Sequence, residues 1–187
     1  HLLQAVVEGT TDAVFVKDLQ GRYLLVNAAA SGFAGRPVEE VLGRDDTELF
    51  SPESAVRIME RDRLVMDSGV TQTVEEVATA AGQTRIYHAT KGPYRDENGR
   101  VIGIIGIARD VTERSQAENR LRASEERFAT IFRSSPIGAC ITTLEEGTFL
   151  DANPAFLRKE TLTRESILGR TSLDLGYWRD RDERQKV

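Results

Sequence analysis

Apolar positions in the first 110 residues change period twice along the chain. Ala13 to Lys17 and Tyr23 to Val26 are short apolar runs separated by the turn Asp18-Leu-Gln-Gly21, which predicts a hairpin. Three more strand-like runs follow later, at Val70 to Thr79, Thr84 to Tyr94 and Val101 to Asp110. Ala80-Ala-Gly82-Gln joins the first two, and Arg95-Asp-Glu-Asn-Gly99 joins the others with an Asn-Gly hairpin signal. Between the two sets the pattern is helical. Asn27 stands at a cap position before Ala28 to Ala34, Pro37 opens a short helix that Gly43 stops, and Ser51-Pro52-Glu53 starts a longer one ending at Gly69. Ahead of them all, Leu2, Leu3, Val6 and Val7 share one side of a short helix closed by Gly9. Strands joined by tight turns are antiparallel. The expected architecture is therefore α+β, a five-stranded antiparallel sheet with short helices on one face. Val101 to Ala108 is apolar at both alternating sets of positions. A strand with one wet face alternates, so the outer face is expected to be covered by the N-terminal helix or by a partner chain.

The pattern then repeats. Asn27 and Asn153 open matching stretches, as do Gly43-Arg44 and Gly169-Arg170, both at an offset of 126 (153 − 27 and 169 − 43). Leu24 pairs with Leu150, and Ala13-Val-Phe15 pairs with Ala139-Cys-Ile141 at the same spacing. Solenoid units are roughly 20 to 50 residues long, so this period means tandem domains. The expected organisation is a complete domain at 1–112, a connecting helix at 113–127, and the N-terminal half of a second domain at 128–187, ending before its last three strands.

Residues Glu113 to Phe132 are mostly helix formers. Ala117, Leu121, Ser124, Phe128 and Ile131 are spaced 4, 3, 4 and 3, a heptad seam of about two repeats. Such a helix either pairs with its twin in a parallel homodimer or packs on its own domain. The pairing is the expectation here.

Composition removes several function classes. Of 187 residues 40% are hydrophobic and 29% charged, with a formal net charge of −5. Phosphate recognition needs a clustered positive surface, so no nucleic-acid partner is expected. The alternation Arg179-Asp-Arg-Asp-Glu-Arg184 fits a solvated face. The single cysteine, Cys140, cannot form an intrachain disulfide. No apolar run approaches the roughly 20 residues of a membrane helix. The chain thus reads as a cytosolic piece of a larger protein, whose parent could be membrane-anchored.

Several phrases now add up to a resemblance. Asn27 after the second strand, the Gly43-Arg44 stop, the Tyr94 to Arg100 hairpin and Asp110-Val-Thr-Glu-Arg114 together resemble the PAS domain of bacterial signalling proteins. Leu173-Asp-Leu-Gly-Tyr-Trp178 looks like another phrase of such domains. The resemblance implies a small cavity between sheet and helices that senses a ligand, cofactor or partner. It also implies that Asp110 and Thr112, in the Asp-Val-Thr ending, couple the last strand to the outgoing helix. The output in this family is a histidine kinase or a cyclic-dinucleotide enzyme. This sequence holds no phosphoacceptor His box, ATP lid or cyclase signature, so no catalytic residue is expected. By analogy of position the pocket candidates are Phe15, Val26, Asn27, Phe33, Met59, Tyr87, His88 and Ile105, with Leu24, Met66, Thr90 and Ile107 beside them. Core packing is the competing role for each apolar candidate, and capping alone would account for Asn27.

Cofactor options narrow on the same resemblance. Flavin photosensors of this fold place a Cys just after the Gly-Arg stop, where Asp45 and Asp46, then Thr171 and Ser172, stand here, so covalent flavin is excluded. Haem-binding members carry an axial His on the long helix, and residues 53–68 contain none, so haem is not expected. Flavin held without a covalent bond stays open. Two His residues do not make a metal site, and Cys140 is expected to be a small buried hydrophobe. The function expected is a sensory module relaying the state of a small ligand or partner through the connecting helix. The alternative is a ligand-free scaffold for dimerisation and protein contacts.

Overall fold

The computed structural model describes residues 2–177, the side chain of Leu3 excepted. Trp178 and the Arg179 to Arg184 alternation lie outside the described residues. The chain divides into two compact units, at residues 1–117 and 118–187.

In the first unit, α1 (Leu2–Glu8) precedes the hairpin β1 (Ala13–Asp18) and β2 (Tyr23–Val26). Four helices follow, α2 (Ala28–Ala34), α3 (Val38–Val41), α4 (Asp46–Leu49) and α5 (Pro52–Ser68). The chain then returns to the sheet as β3 (Gln72–Ala80), β4 (Gln83–Arg95) and β5 (Val101–Asp110). Spatial order is β2-β1-β5-β4-β3, with every pair antiparallel. The fold is the α+β layout expected. The short helix α4 was not anticipated. It forms because Asp45 caps it, accepting from Thr47 N, just beyond the Gly43 stop.

Inserting β5 beside β1 demands two glycines. Gly103 sits so close to β1 that a Cβ there would lie 2.0 Å from the Lys17 carbonyl oxygen. At Gly106 it would lie 2.2 Å from the Phe15 ring. The Gly-Ile-Ile-Gly spacing in β5 is thus a packing requirement, with Phe15 lying over Gly106. Phe15, Tyr23, Val26, Ala34, Val41 and Leu49 form the core between hairpin and helices. Each large apolar side chain buried there contributes about 1.5–3 kcal/mol.

The other sheet face stays open. Ile105 and Ile107 are 42% and 48% exposed. The helix α1 does not lie across them. It is tied to the turn after β2, where Asn27 Nδ2 donates to the Val7 carbonyl and Ala28 N donates to Glu8. Val14, which pairs with Ile107 on this face, is only 8% exposed, so the opening lies along β5 rather than over β1.

A single helix, α6 (Thr112–Ser134), leaves β5 and runs past Phe128, where the sequence placed the second domain's start. None of its residues is buried, and Leu121, Phe128 and Ile131 are 62%, 57% and 69% exposed. In the second unit, β6 (Cys140–Thr142) pairs with β7 (Phe149–Ala152), followed by α7 (Pro154–Glu160) and α8 (Arg164–Ile167). Its core is Phe149, Ala152 and Ile167.

The repeat is real but its offset is not constant. Phe15 pairs with Val26, and Cys140 pairs with Ala152, so β7 follows the offset of 126 while β6 follows 125 (152 − 26 and 140 − 15). The second hairpin loop is one residue longer. The structural counterpart of Phe15 is therefore Cys140, and that of Lys17 is Thr142. Cys140 is exposed rather than buried.

Candidate functional site

The residues expected to line a pocket separate onto different surfaces. Phe15, Val26 and Tyr87 are buried on the inner face. Phe33 of α2 packs against Tyr87 with the rings tilted and their centroids 4.2 Å apart, and against Phe50 at 5.4 Å. Burial pushes the Tyr87 phenol up to about 12, although a hydrogen bond from Arg85 opposes the shift. Met59 lies on the outward side of α5, in an open groove with Val56, Glu60 and Leu64. His88 and Ile105 are exposed on the opposite side of the sheet, which removes them from the interior. The reason is strand parity. Tyr87, Ala89 and Lys91 point inward on β4, so His88 and Thr90 point out. Phe15 faces Gly106, so Ile105 and Ile107 point out as well.

Asn27 is fully buried and its amide is fully occupied. Its Oδ1 accepts from Val14 N (3.0 Å) and Ala30 N (2.9 Å), and its Nδ2 donates to the Val7 and Asp12 carbonyls at 2.9 Å each. One side chain thereby stitches α1, β1 and α2 together. Asn153 repeats the arrangement, accepting from Ala139 N and Phe156 N and donating to the Ile137 carbonyl.

The largest feature of the interior was missed by sequence reasoning. Lys17 is fully buried, and its ammonium donates to Asp46 Oδ1 (2.8 Å), Asp46 Oδ2 (2.7 Å) and Asp62 Oδ2 (2.7 Å). Lys91, 3% exposed, donates to Glu76 Oε1 (2.8 Å) and lies 2.8 Å from Asp62 Oδ1. That last contact is an ion pair outside hydrogen-bond alignment, which leaves Asp62 Oδ1 without a formal donor. The Tyr23 hydroxyl donates to Asp46 Oδ1 at 2.8 Å. Burial disfavours the Lys17 charge, but Tyr23, Asp46 and Asp62 outweigh it and hold the ammonium well above its ordinary range. Burial likewise works against the Asp62 carboxylate, yet Lys17 and Lys91 hold it below the usual value. The Tyr23 phenol is pushed well up, first by burial. Two cations face three carboxylates, a net charge of −1 inside the fold.

A signal for this cluster existed. Lys17 sits at an inward position of a buried strand, and Asp62 falls on the buried side of α5 with Ile58 and Val65. Charges at core positions are rare unless paired. The second unit replaces three members together: Thr142 stands for Lys17, Phe149 for Tyr23 and Ser172 for Asp46 (172 − 46 = 126). The charges and the hydroxyl that joins them vanish as a set.

The junction to α6 is clasped to β4. Thr112 N and Oγ1 both donate to Asp110 Oδ1, at 2.9 and 2.6 Å. Thr112 Oγ1 accepts from Ile86 N (2.9 Å), and Val111 N donates to the Ile86 carbonyl (2.9 Å). Arg85 donates to Asp110 Oδ2 at 3.4 Å while its guanidinium lies 5.9 Å from the Phe33 ring centre. Among the described residues, no group of three or more His, Cys, Asp or Glu side chains could hold a metal. No described helix is long and apolar enough to cross a membrane.

A five-stranded antiparallel sheet in the order 2-1-5-4-3, with its helices packed on one face, defines the sensory PAS class. The chain belongs to the PAS fold family, which it matches over residues 7–116, and residues 126–159 match the PAS domain family. It is 38% identical over 114 residues to the methanogenesis regulatory histidine kinase FilI of Methanothrix harundinacea, covering 61% of this chain and 13% of that protein. The solved PAS domain of Bordetella pertussis BvgS is 28% identical, with a TM-score of 0.53 over 67% of this chain and 96% of that one. VqmA of Vibrio cholerae, solved with ligand and DNA, is 27% identical with a TM-score of 0.54, over 60% and 52% of the two chains. The chain spans about an eighth of the length of FilI.

Proposed function

We propose that this chain is the sensory region of a multidomain signalling protein, with a histidine kinase as its output elsewhere in the parent. The first unit binds a small ligand or partner in its interior, and its state passes through Asp110 and Thr112 into α6. The observation that carries this reading is the clasp. One carboxylate, Asp110, caps α6 through Thr112 and also pairs with Arg85, whose guanidinium rests on Phe33 of the helical wall. A change in the packing of α2 has a short covalent and electrostatic route to the base of α6. The relatives support a signalling role, and the ligand-bound VqmA supports a ligand for this fold. The exposed seam of Leu121, Phe128 and Ile131 supports a homodimer joined along α6.

The test is Asp110→Ala in the parent protein, read as autophosphorylation with and without its stimulus. Loss of the stimulus response with the PAS fold intact is expected. An unchanged response would refute the relay. For the dimer, Phe128→Glu should shift the chain from dimer to monomer in sedimentation equilibrium, and a wild-type monomer would sink the pairing.

A further inference from the structure

Of the two buried lysines, one is saturated and the other is not. An ammonium has three N–H donors. Lys17 spends all three on Asp46 and Asp62. Lys91 has one aligned acceptor, Glu76 Oε1, and one misaligned neighbour, Asp62 Oδ1. Glu76 is also the least buried acid of the cluster, at 12% side-chain exposure against 0% for Asp46 and 3% for Asp62.

Beside Glu76 lies a cavity of about 280 Å³ between α5 and β3, whose other walls are Arg57, Ile58, Arg61, Glu75 and Val77. Arg57 is engaged, donating to the Val77 carbonyl at 3.1 Å. Arg61 has no hydrogen-bond or ion-pair partner among the described residues, although it borders both the cavity and Asp62. An unsaturated buried ammonium and an unpaired guanidinium therefore flank one removable carboxylate.

We infer that this cavity takes a small monocarboxylate, which displaces Glu76 from Lys91 and pairs with Arg61. The inference rests on the sensory reading above and specifies its ligand. Charge decides the class. The cavity walls set Arg57 and Arg61 against Glu75 and Glu76, a net charge of zero, and exchanging one carboxylate for another keeps that balance. A phosphate dianion in place of the Glu76 carboxylate would leave the cavity walls and ligand with an unbalanced negative charge. A carboxylate also reproduces the planar acceptor that Lys91 already holds. The cavity is at the small end of ligand sites, which limits the acid to a few carbons.

The exchange reaches the output junction through the sheet. Glu76 pairs with Tyr87, and Tyr87 pairs with Asp110, in one row across β3, β4 and β5. Freeing Glu76 alters the packing at one end of a row that finishes at the base of α6.

The test is a titration of the ¹⁵N-labelled full chain with acetate and propionate, with acetamide and inorganic phosphate as controls, read by amide shifts. Saturable shifts around Arg61, Glu76 and Lys91 with the carboxylates alone are expected. Glu76→Gln removes the charge that competes for Lys91 and should tighten binding about tenfold, about 1.4 kcal/mol. Arg61→Ala, an exposed position that should leave the fold intact, should weaken it about tenfold. Acetamide or phosphate binding as well as acetate would overturn the carboxylate class. So would weaker binding in Glu76→Gln, or no carboxylate shift in either wild type or that variant. These results leave the Asp110 relay standing, because that test uses the parent's own stimulus. A failed relay with carboxylate binding intact would overturn the sensory reading alone.

Discussion

Replacing Lys17 with Met isolates the energetics of the buried cluster. The substitution keeps a linear apolar stem in a fully buried site and deletes the ammonium. Asp46 then loses its cation on both oxygens and retains only the Tyr23 hydroxyl. Asp62 keeps Lys91, but the net charge of the cluster falls from −1 to −2. Removing one partner of a buried pair costs about 3–5 kcal/mol, because the remaining charge cannot be rehydrated. With a urea m-value of about 1–3 kcal/mol/M for a small domain, the transition of the first unit should move down by roughly 2 M. The second unit shows how to offset the loss, since it places Thr142, Phe149 and Ser172 where the cluster has Lys17, Tyr23 and Asp46. The triple variant Lys17→Met/Tyr23→Phe/Asp46→Leu removes the orphaned charge and hydroxyl together. It should return to within about 1–2 kcal/mol of wild type, since apolar replacements of whole buried pairs are often neutral or stabilising. Urea unfolding of the full chain followed by far-UV circular dichroism measures all three proteins. A loss below about 1 kcal/mol in Lys17→Met, or a triple variant less stable than the single, would refute the reasoning.

The same cluster sets a pH window. Asp62 has a lowered folded pKa, so its contribution is present above the unfolded carboxylate value of about 3.9 and is lost as pH falls through the lower folded value. Lys17 and Tyr23 have raised folded values, so stability falls as pH climbs above about 10. The melting temperature should plateau between these limits, and the alkaline decline should flatten in the triple variant; an unchanged alkaline limb there would contradict the assignment. Gly103→Ala should unfold the first unit outright, since the added methyl meets the β1 backbone at 2.0 Å, whereas Gly99→Ala in the exposed turn, where nothing lies within 4 Å, should cost only its left-handed backbone strain, about 1 kcal/mol. Equal melting points for the two would show that β5 does not need this close approach. Asn27→Ala removes four hydrogen bonds and a helix cap, and a loss of about 2–4 kcal/mol is expected by calorimetry. A loss under 1 kcal/mol would mean that water replaces the amide.

Local signals in this sequence are strong, and they determined the elements. Tight turns at Gly21 and Asn98-Gly99, caps at Asn27 and Ser51, and the glycines after α1, α2, α3 and α5 define the strands of the first unit and its helices other than α4 within a residue or two of their observed ends. The doubled Asn and Gly-Arg phrases were enough to reveal a second domain. These features are legible because each depends on a few neighbouring residues. The sidedness of β5 was not legible. Its two glycines exist to admit Phe15 and the β1 backbone, and once they are spent on close approach, Ile105 and Ile107 are left for the open face. The extra residue in the second hairpin was not legible either, because turn length is decided by strand pairing rather than by composition.

The sequence by itself determined the five-stranded α+β layout of the first unit and the repeat that marks a second PAS match. Only the tertiary structure decided what fills the interior. Lys17, Asp46, Asp62, Glu76 and Lys91 come from five elements, β1, α4, α5, β3 and β4, and successive members are 14 to 29 residues apart (76 − 62 and 46 − 17), so read singly each looks like an ordinary surface charge. Their meaning depends on burial, because an ion pair that is worth little in water becomes structural once solvent is excluded. Packing brought them within 2.8 Å of one another, and that proximity turned five unremarkable letters into the candidate site.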